Sequence, residues 1–202
     1  MKTLVLDAMG VIYSVGDDVG ELLCPFIAEN GGVSDVQYIR DAYHSASLGK
    51  MSAEEFWRAV SIAPALEDEY LARHHLTDGA LRALEGLHRQ GRSIWCLSND
   101  LSEWSRRLRE RFELDRFILG FLISGDVGAR KPARAIFDRL LHETGASPDD
   151  IVFVDDNVVN LDAAAQLGIR TILFGSNHAN SDRHARVSGF DALMEVLAEA
   201  EG

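Results

Sequence analysis

Only two of the 202 residues are cysteine and four are proline, too few for a disulfide-stapled miniprotein or a proline-rich rod. Cys24 and Cys96 lie far apart inside apolar stretches and read as small core residues in a reducing compartment. Long apolar runs are also missing. The longest, Phe117 to Ile123, is far too short to cross a bilayer. The opening Met1-Lys2-Thr3-Leu4-Val5-Leu6-Asp7 meets a carboxylate after three apolar residues, unlike a secretory signal. Basic charge is scarce: 20 lysines and arginines face 32 acidic residues, for a formal charge of −12. Such a surface repels nucleic acid and anionic membranes, so an anionic ligand needs positive charge at its own site. No internal repeat or low-complexity tract is visible. What remains, 47% hydrophobic and 26% charged, is ordinary globular composition. The expectation is a soluble cytoplasmic globular protein, monomer or homodimer.

Four short apolar runs, Thr3–Leu6, Ser93–Leu97, Ile151–Val154 and Thr171–Phe174, lack polar alternation, as strands covered on both faces do. Ile118–Ile123, interrupted by Gly120, is a fifth candidate. Helical patterns lie between them. Ala80–Gln90 puts Leu81, Leu84 and Leu87 on one stripe before Gly91, and Ser102–Phe112, Pro132–Glu143 and Asn160–Leu167 are similar. Pro132 suits a first helical turn. Strands alternating with helices imply an α/β fold, a doubly wound parallel sheet with right-handed crossovers.

Residues 15–76 break the alternation. They hold no convincing strand but two capping-box spacings, Ser34 with Gln37 and Ser52 with Glu55. We expect a helical insert here, and an α/β core made of residues 1–14 and 77–202. An insert after the first strand sits over the carboxyl ends of the strands, where open α/β sheets bind ligands. Ser176 to Val187 is polar without a clear period, and Phe190–Ala198 reads as a closing helix.

The strand ends carry the chemistry. The first run ends in Asp7, the second in Ser98-Asn99-Asp100 and the fourth in Asp155-Asp156-Asn157, while Lys131-Pro132 precedes a helix. Each has a bland reading as a turn, a helix cap or a surface charge. Together they are harder to dismiss, because converging carboxylates repel one another and favour a bound cation. Such a set suits phosphoryl transfer through an aspartyl phosphate. A carboxylate is a competent nucleophile, and Mg²⁺ held by hard oxygens screens the approach of two anions. A short hydroxyl with backbone amides binds phosphoryl oxygens, and a lysine stabilises the charge.

These residues, in this order, resemble the haloacid dehalogenase (HAD) superfamily of hydrolases over almost the whole chain. The resemblance makes Asp7 the nucleophile and a Mg²⁺ ligand, Ser98 with Asn99 the phosphate-binding pair, and Lys131 a catalytic and phosphate-binding cation. It makes Asp155 and Asp156 the acidic pair of the metal site, leaving open which of the two binds directly while favouring Asp156, and the Met9 backbone carbonyl a further ligand. The insert resembles that family's small helical cap. The wording around Lys131 and Asp155 is similar to small bacterial sugar-phosphate phosphatases, including an α-glucose-1-phosphatase, so the implied substrate is a small phosphorylated metabolite. One position departs. Most phosphatases of this family carry a second Asp two residues after the nucleophile as general acid and base, and this chain has Met9. A thioether cannot move a proton, and such catalysis typically contributes about 10²–10⁴-fold.

Met9 therefore leaves a catalytically silent binding or regulatory module as the alternative. Dehalogenation is disfavoured by the acidic pair. Phosphonate cleavage needs a cap lysine, for which Lys50 is the only candidate in the insert. His44, in the insert, is a candidate replacement proton donor. His74-His75 and His178 lack metal-ligand spacing. Trp57 and Trp95 read as packing, and Trp104 either lines the pocket or covers the sheet. Arg106, Arg107, Arg109 and Arg111 read as a solvated helix face.

Overall fold

The computed structural model describes residues 2–175 and 183–199. His178 lies outside them. Six strands, β1 (Thr3–Leu6), β2 (Ile94–Ser98), β3 (Gly120–Ile123), β4 (Ile151–Asp155), β5 (Arg170–Phe174) and β6 (Ala185–Val187), form one sheet in the order β3-β2-β1-β4-β5-β6. All five pairings are parallel. Alternate side chains enter opposite layers, as strand geometry demands. Leu4, Leu6, Val152 and Val154 join one apolar cluster, and Val5, Leu97, Ile151 and Phe153 join the other. That two-sided burial is why these runs are continuously hydrophobic.

The helices after β1 are α1 (Cys24–Glu29, entered through a π-helical turn at Val19–Leu23), α2 (Val36–Ala46), α3 (Ala53–Ala59) and α4 (Glu67–Leu71). Then come α5 (Ala80–Arg89) before β2, α6 (Ser102–Arg111) before β3, and α7 (Ser124–Val127) and α8 (Arg134–Thr144) before β4. The last two are α9 (Val158–Ala165), before β5, and α10 (Phe190–Glu199), after β6. The sheet order reverses direction between β1 and β4. This is the switch point at which open α/β sheets leave a crevice at their carboxyl ends. Leu6 is in register with Val154, so Asp7 and Asp155 emerge side by side.

The segment between β1 and α5 holds helices only, apart from isolated bridges at its ends. It leaves and rejoins the sheet through a narrow neck. Ser14 N donates to His75 O at 3.0 Å and Thr77 N to Ile12 O at 2.9 Å, with Tyr13 bridged to Leu76. Ser52 and Glu55 form the expected capping box. The other expected box is replaced by a different cap: Asp35, not Ser34, starts α2, its carboxylate accepting from Gln37 N and Tyr38 N. A carboxylate nearer the helix start reaches both amides and suits the positive end of the dipole.

Three further expectations shift. Leu81 is exposed on α5, and Ala80, Ala83, Leu84 and Leu87 make the buried stripe. Pro132 precedes α8 rather than opening it: Ala133 is the N-cap, and the Lys131–Pro132 peptide is cis. β6 was hidden in a polar stretch, because Ala185 and Arg186 are exposed at the sheet edge and only Val187 is buried.

The arginine-rich face of α6 is not simply solvated. Arg107 pairs with Glu67 and Asp68, and Arg111 donates to Leu71 O at 2.7 Å. Glu67 also accepts the indole N–H groups of Trp57 and Trp104, each at 2.9 Å. Trp104 is not among the residues lining the cavity, and it shares a buried apolar cluster with Leu4, Leu6 and Cys96 of the sheet. It sits in an aromatic cluster with Phe56, Trp57 and Tyr70 that joins α6 to the helical segment. Cys96 is buried, Cys24 is half-buried, and both are free thiols. No helix among the described residues is long and apolar enough to cross a membrane.

Candidate active site

Asp7 follows the last residue of β1, and its backbone N–H donates to Val154 O at 2.9 Å, continuing the pairing with β4 by one residue. Its side chain is buried. Oδ1 accepts the Ala8 N–H at 2.6 Å and lies 2.7 Å from Lys131 Nζ. Lys131 Nζ also reaches Asp155 Oδ2 at 2.8 Å, so one buried ammonium bridges two carboxylates from adjacent strands.

Asp155, at the end of β4, is wholly enclosed by donors. Beyond Lys131 it accepts Asn157 N at 2.8 Å and both carboxylate oxygens take Asn160 Nδ2, at 3.2 and 3.1 Å. Asn157 in turn caps α9 by accepting from Val159 N at 2.9 Å. This local chemistry makes the strand end in a helix start and fixes the carboxylate. Asp156 points instead toward the turn after β1. A Cβ added to Gly10 would overlap Asp156 Oδ2, and Gly10 has φ +75°. Glycine is needed there for backbone conformation and for close approach. Oxygens of Asp7, Asp155 and Asp156 all lie within 4.8 Å of one another.

Lys131 is placed by Asn99. The Asn99 carboxamide donates to Lys131 O at 2.9 Å and accepts Lys131 N at 2.8 Å. The Asn99 side chain is thus engaged in both directions with the lysine backbone, while the residue lines the same cavity as Asp7. Ser98, closing β2, behaves differently. Its hydroxyl is buried yet has no hydrogen-bond partner among the described residues, and the residue lines the same cavity as Asp7. Such orphaned groups are uncommon because each costs about 1–3 kcal/mol, and they call for a ligand or water. Asp100 turns away, its Oδ1 accepting Leu101 N at 2.7 Å.

Burial pushes the Asp7 carboxyl well above the ordinary carboxylate range, with the neighbouring Asp155 and Asp156 charges adding to it and Lys131 opposing. Burial also disfavours the Lys131 charge, but Asp155 and Asp7 outweigh it and raise the ammonium to about 12. Three carboxylates and one cation therefore leave surplus negative charge in a place with little water. The donor set is all hard oxygen, so the residues fit a Mg²⁺-like cation.

The cavity above these groups has a volume of about 340 Å³. Its floor is Asp7, Met9, Ser98, Lys131 and Asp156; its opposite wall is Asp17, Asp18, Arg40, Tyr43 and His44 from the helical segment. Lys50 is exposed and is not among the lining residues. The sequence reading missed the wall, apart from His44. Tyr43 donates to Asn99 O at 2.9 Å, Arg130 bonds Ser47, and Arg40 clamps Asp17 at 2.7 Å. Asp18 accepts Tyr70 OH at 2.6 Å and faces His74 Nε2 at 3.0 Å. Burial opposes a charge on His74, but the bond to Asp18 and its charge raise the imidazole above its usual range. Nothing local marks Asp18 or His74, which are 56 positions apart and meet only through the neck.

Compared with known proteins, a family model described as haloacid dehalogenase-like hydrolase matches residues 1–168. The chain is 27% identical over 193 residues to D-ribitol-5-phosphate phosphatase of Bacteroides thetaiotaomicron, covering 85% of this chain and 90% of that protein. It is 47% identical over 51 residues to drimenol cyclase of Aspergillus calidoustus, covering 25% of this chain. The chain spans only 10% of that cyclase's length. In fold it is similar to a HAD-family enzyme of Bacteroides thetaiotaomicron solved with magnesium and inorganic phosphate. That comparison has a TM-score of 0.73 at 18% identity, covering 90% of this chain and 98% of the other.

Proposed function

The chain belongs to the haloacid dehalogenase-like hydrolases, and we propose that it is a Mg²⁺-dependent phosphatase of a small phosphorylated metabolite, a sugar or polyol phosphate. The observation that carries this reading is the buried Ser98 hydroxyl without a partner beside the Lys131-held Asp7 carboxylate. A phosphoryl oxygen would satisfy the hydroxyl, and phosphorus would then lie before Asp7. A similar chain is named as a ribitol-phosphate phosphatase, and a protein of similar fold holds magnesium and phosphate.

In this reading Asp7 attacks phosphorus and carries the phosphoryl group as an acyl phosphate. Ser98 Oγ donates to a phosphoryl oxygen, and Lys131 Nζ balances charge on that oxygen and on Asp7. Asp7, Asp156 and the Met9 carbonyl would hold Mg²⁺, which supplies electrostatic screening for the meeting of two anions. Asp155, enclosed by Lys131, Asn157 and Asn160, holds the lysine rather than the metal. The helical segment, residues 15–76, acts as the cap that closes the site from bulk water.

The test is phosphate release from a panel of sugar and polyol phosphates, with Mg²⁺ and with a chelator. We expect metal-dependent release that Asp7→Asn abolishes; release that survives Asp7→Asn removes Asp7 from its part. The second reading, a silent module, is favoured by Met9 alone. It requires Mg²⁺ and phosphate mimics to bind without turnover on any member of the panel.

A further inference from the structure

Met9 lines the cavity, and its thioether cannot give a proton to a departing alkoxide. The other side chains of that cavity can be tested one by one as its replacement. Asp17 is clamped by Arg40 at 2.7 Å, and that bond holds its carboxyl below the usual range. Asp18 has Tyr70 OH on one oxygen and His74 on the other. Tyr43 already donates to Asn99 O, and burial pushes its hydroxyl well above 10. Lys131 is held between two carboxylates. His44 is left. It lies on α2, is exposed, lines the same cavity as Asp7, and its ring makes no hydrogen bond or ion pair among the described residues. Imidazole is the side chain able both to give and to take a proton near neutrality.

We propose that His44 is the general acid and base of this enzyme, reaching the reaction from the cap side in place of the residue that Met9 displaces. The assignment rests on the phosphatase reading above. In the first half-reaction an Asp7 oxygen bonds to phosphorus and the bond from phosphorus to the ester oxygen breaks. The alkoxide leaves with that electron pair and takes a proton from the His44 imidazolium, becoming an alcohol. In the second, neutral His44 takes a proton from water as its oxygen bonds to phosphorus. The bond from phosphorus to Asp7 breaks, and carboxylate, hydrogen phosphate and imidazolium result. A group that protonates an alkoxide matters for substrates whose leaving oxygen is strongly basic, such as sugars and polyols. It is dispensable for leaving p-nitrophenolate.

The experiment compares ribitol 5-phosphate with p-nitrophenyl phosphate for wild type, His44→Gln and Asp7→Asn. His44→Gln is expected to lower kcat/KM on the alkyl ester by about 10²–10⁴-fold and on the aryl ester by less than about tenfold. Its kcat should fall on both, since water must still be activated. A structural role would lower kcat/KM equally on both esters, and that result, or no loss on either, overturns the assignment. If wild type hydrolyses neither ester, the phosphatase reading falls and His44 falls with it. If Asp7→Asn silences both esters while His44→Gln treats them alike, only His44 falls. His44 is exposed, so the variant should melt as wild type does.

Discussion

Asp100→Asn should make the protein more stable, and more so above neutral pH than below it. Burial first, and then the charge of Asp18, push the Asp100 carboxyl from 3.8 to about 7. A carboxyl whose folded pKa is raised binds its proton more tightly in the folded state. The stability it contributes is therefore complete below its unfolded pKa and is lost as pH rises through about 7. With an unfolded value near 3.9, the ionisation costs the folded protein about 4 kcal/mol at pH 8 and about 1–2 kcal/mol at pH 5. Asparagine keeps an oxygen for the Leu101 N–H, which now bonds Asp100 Oδ1 at 2.7 Å, and removes the charge. The expected gain over wild type is thus larger by about 2–3 kcal/mol at pH 8 than at pH 5. For a chain of this length that is a difference in Tm of roughly 4–12 °C. Thermal melts of both proteins at the two pH values, without metal, read it directly. A variant that shifts Tm equally at both pH values, or destabilises more at pH 8, refutes the reasoning.

Two other substitutions separate structure from chemistry. Ser98→Ala removes a buried hydroxyl that has no partner, so it should leave stability unchanged or raise it by up to about 1 kcal/mol. The same variant should weaken binding of phosphate or vanadate about tenfold by titration; unaltered affinity removes Ser98 from the phosphate site. Gly10→Ala places a Cβ against Asp156 Oδ2 at φ +75°, a strain of about 1–3 kcal/mol. It should lower both Tm and Mg²⁺ affinity, and a variant of full stability and affinity would show that the turn does not set Asp156.

The sheet was legible because two-sided burial writes itself as unbroken apolar runs, and the order of polar groups at their ends marked Asp7, Ser98, Lys131 and Asp155. β6 was not legible, since a three-residue edge strand with two exposed side chains carries no such run. Within the site, residue types do not reveal which neighbours each side chain engages. Asn99 and Asp155 carry phosphate-binding and metal-ligating chemistry, yet the fold engages both in holding Lys131. That assignment depends on hydrogen bonds across strands, which no local pattern encodes. The wall formed by Asp17, Asp18, Arg40 and Tyr43 escaped for the same reason. Asp17 and Asp18 are ordinary before the first helical turn, as Arg40 and Tyr43 are on α2, and all four acquire meaning only where the helical segment meets the strand ends.

Asp7 is proposed to accept a phosphoryl group in a pocket that also holds a divalent cation. A crystal structure grown at saturating Mg²⁺ and beryllofluoride, a phosphoryl mimic, tests it most directly. The expected result is beryllium bonded to an Asp7 oxygen, a fluorine within hydrogen-bond distance of Ser98 Oγ, and Mg²⁺ touching Asp7 and Asp156. A bare Asp7 still paired only with Lys131, with the mimic elsewhere or absent, contradicts it.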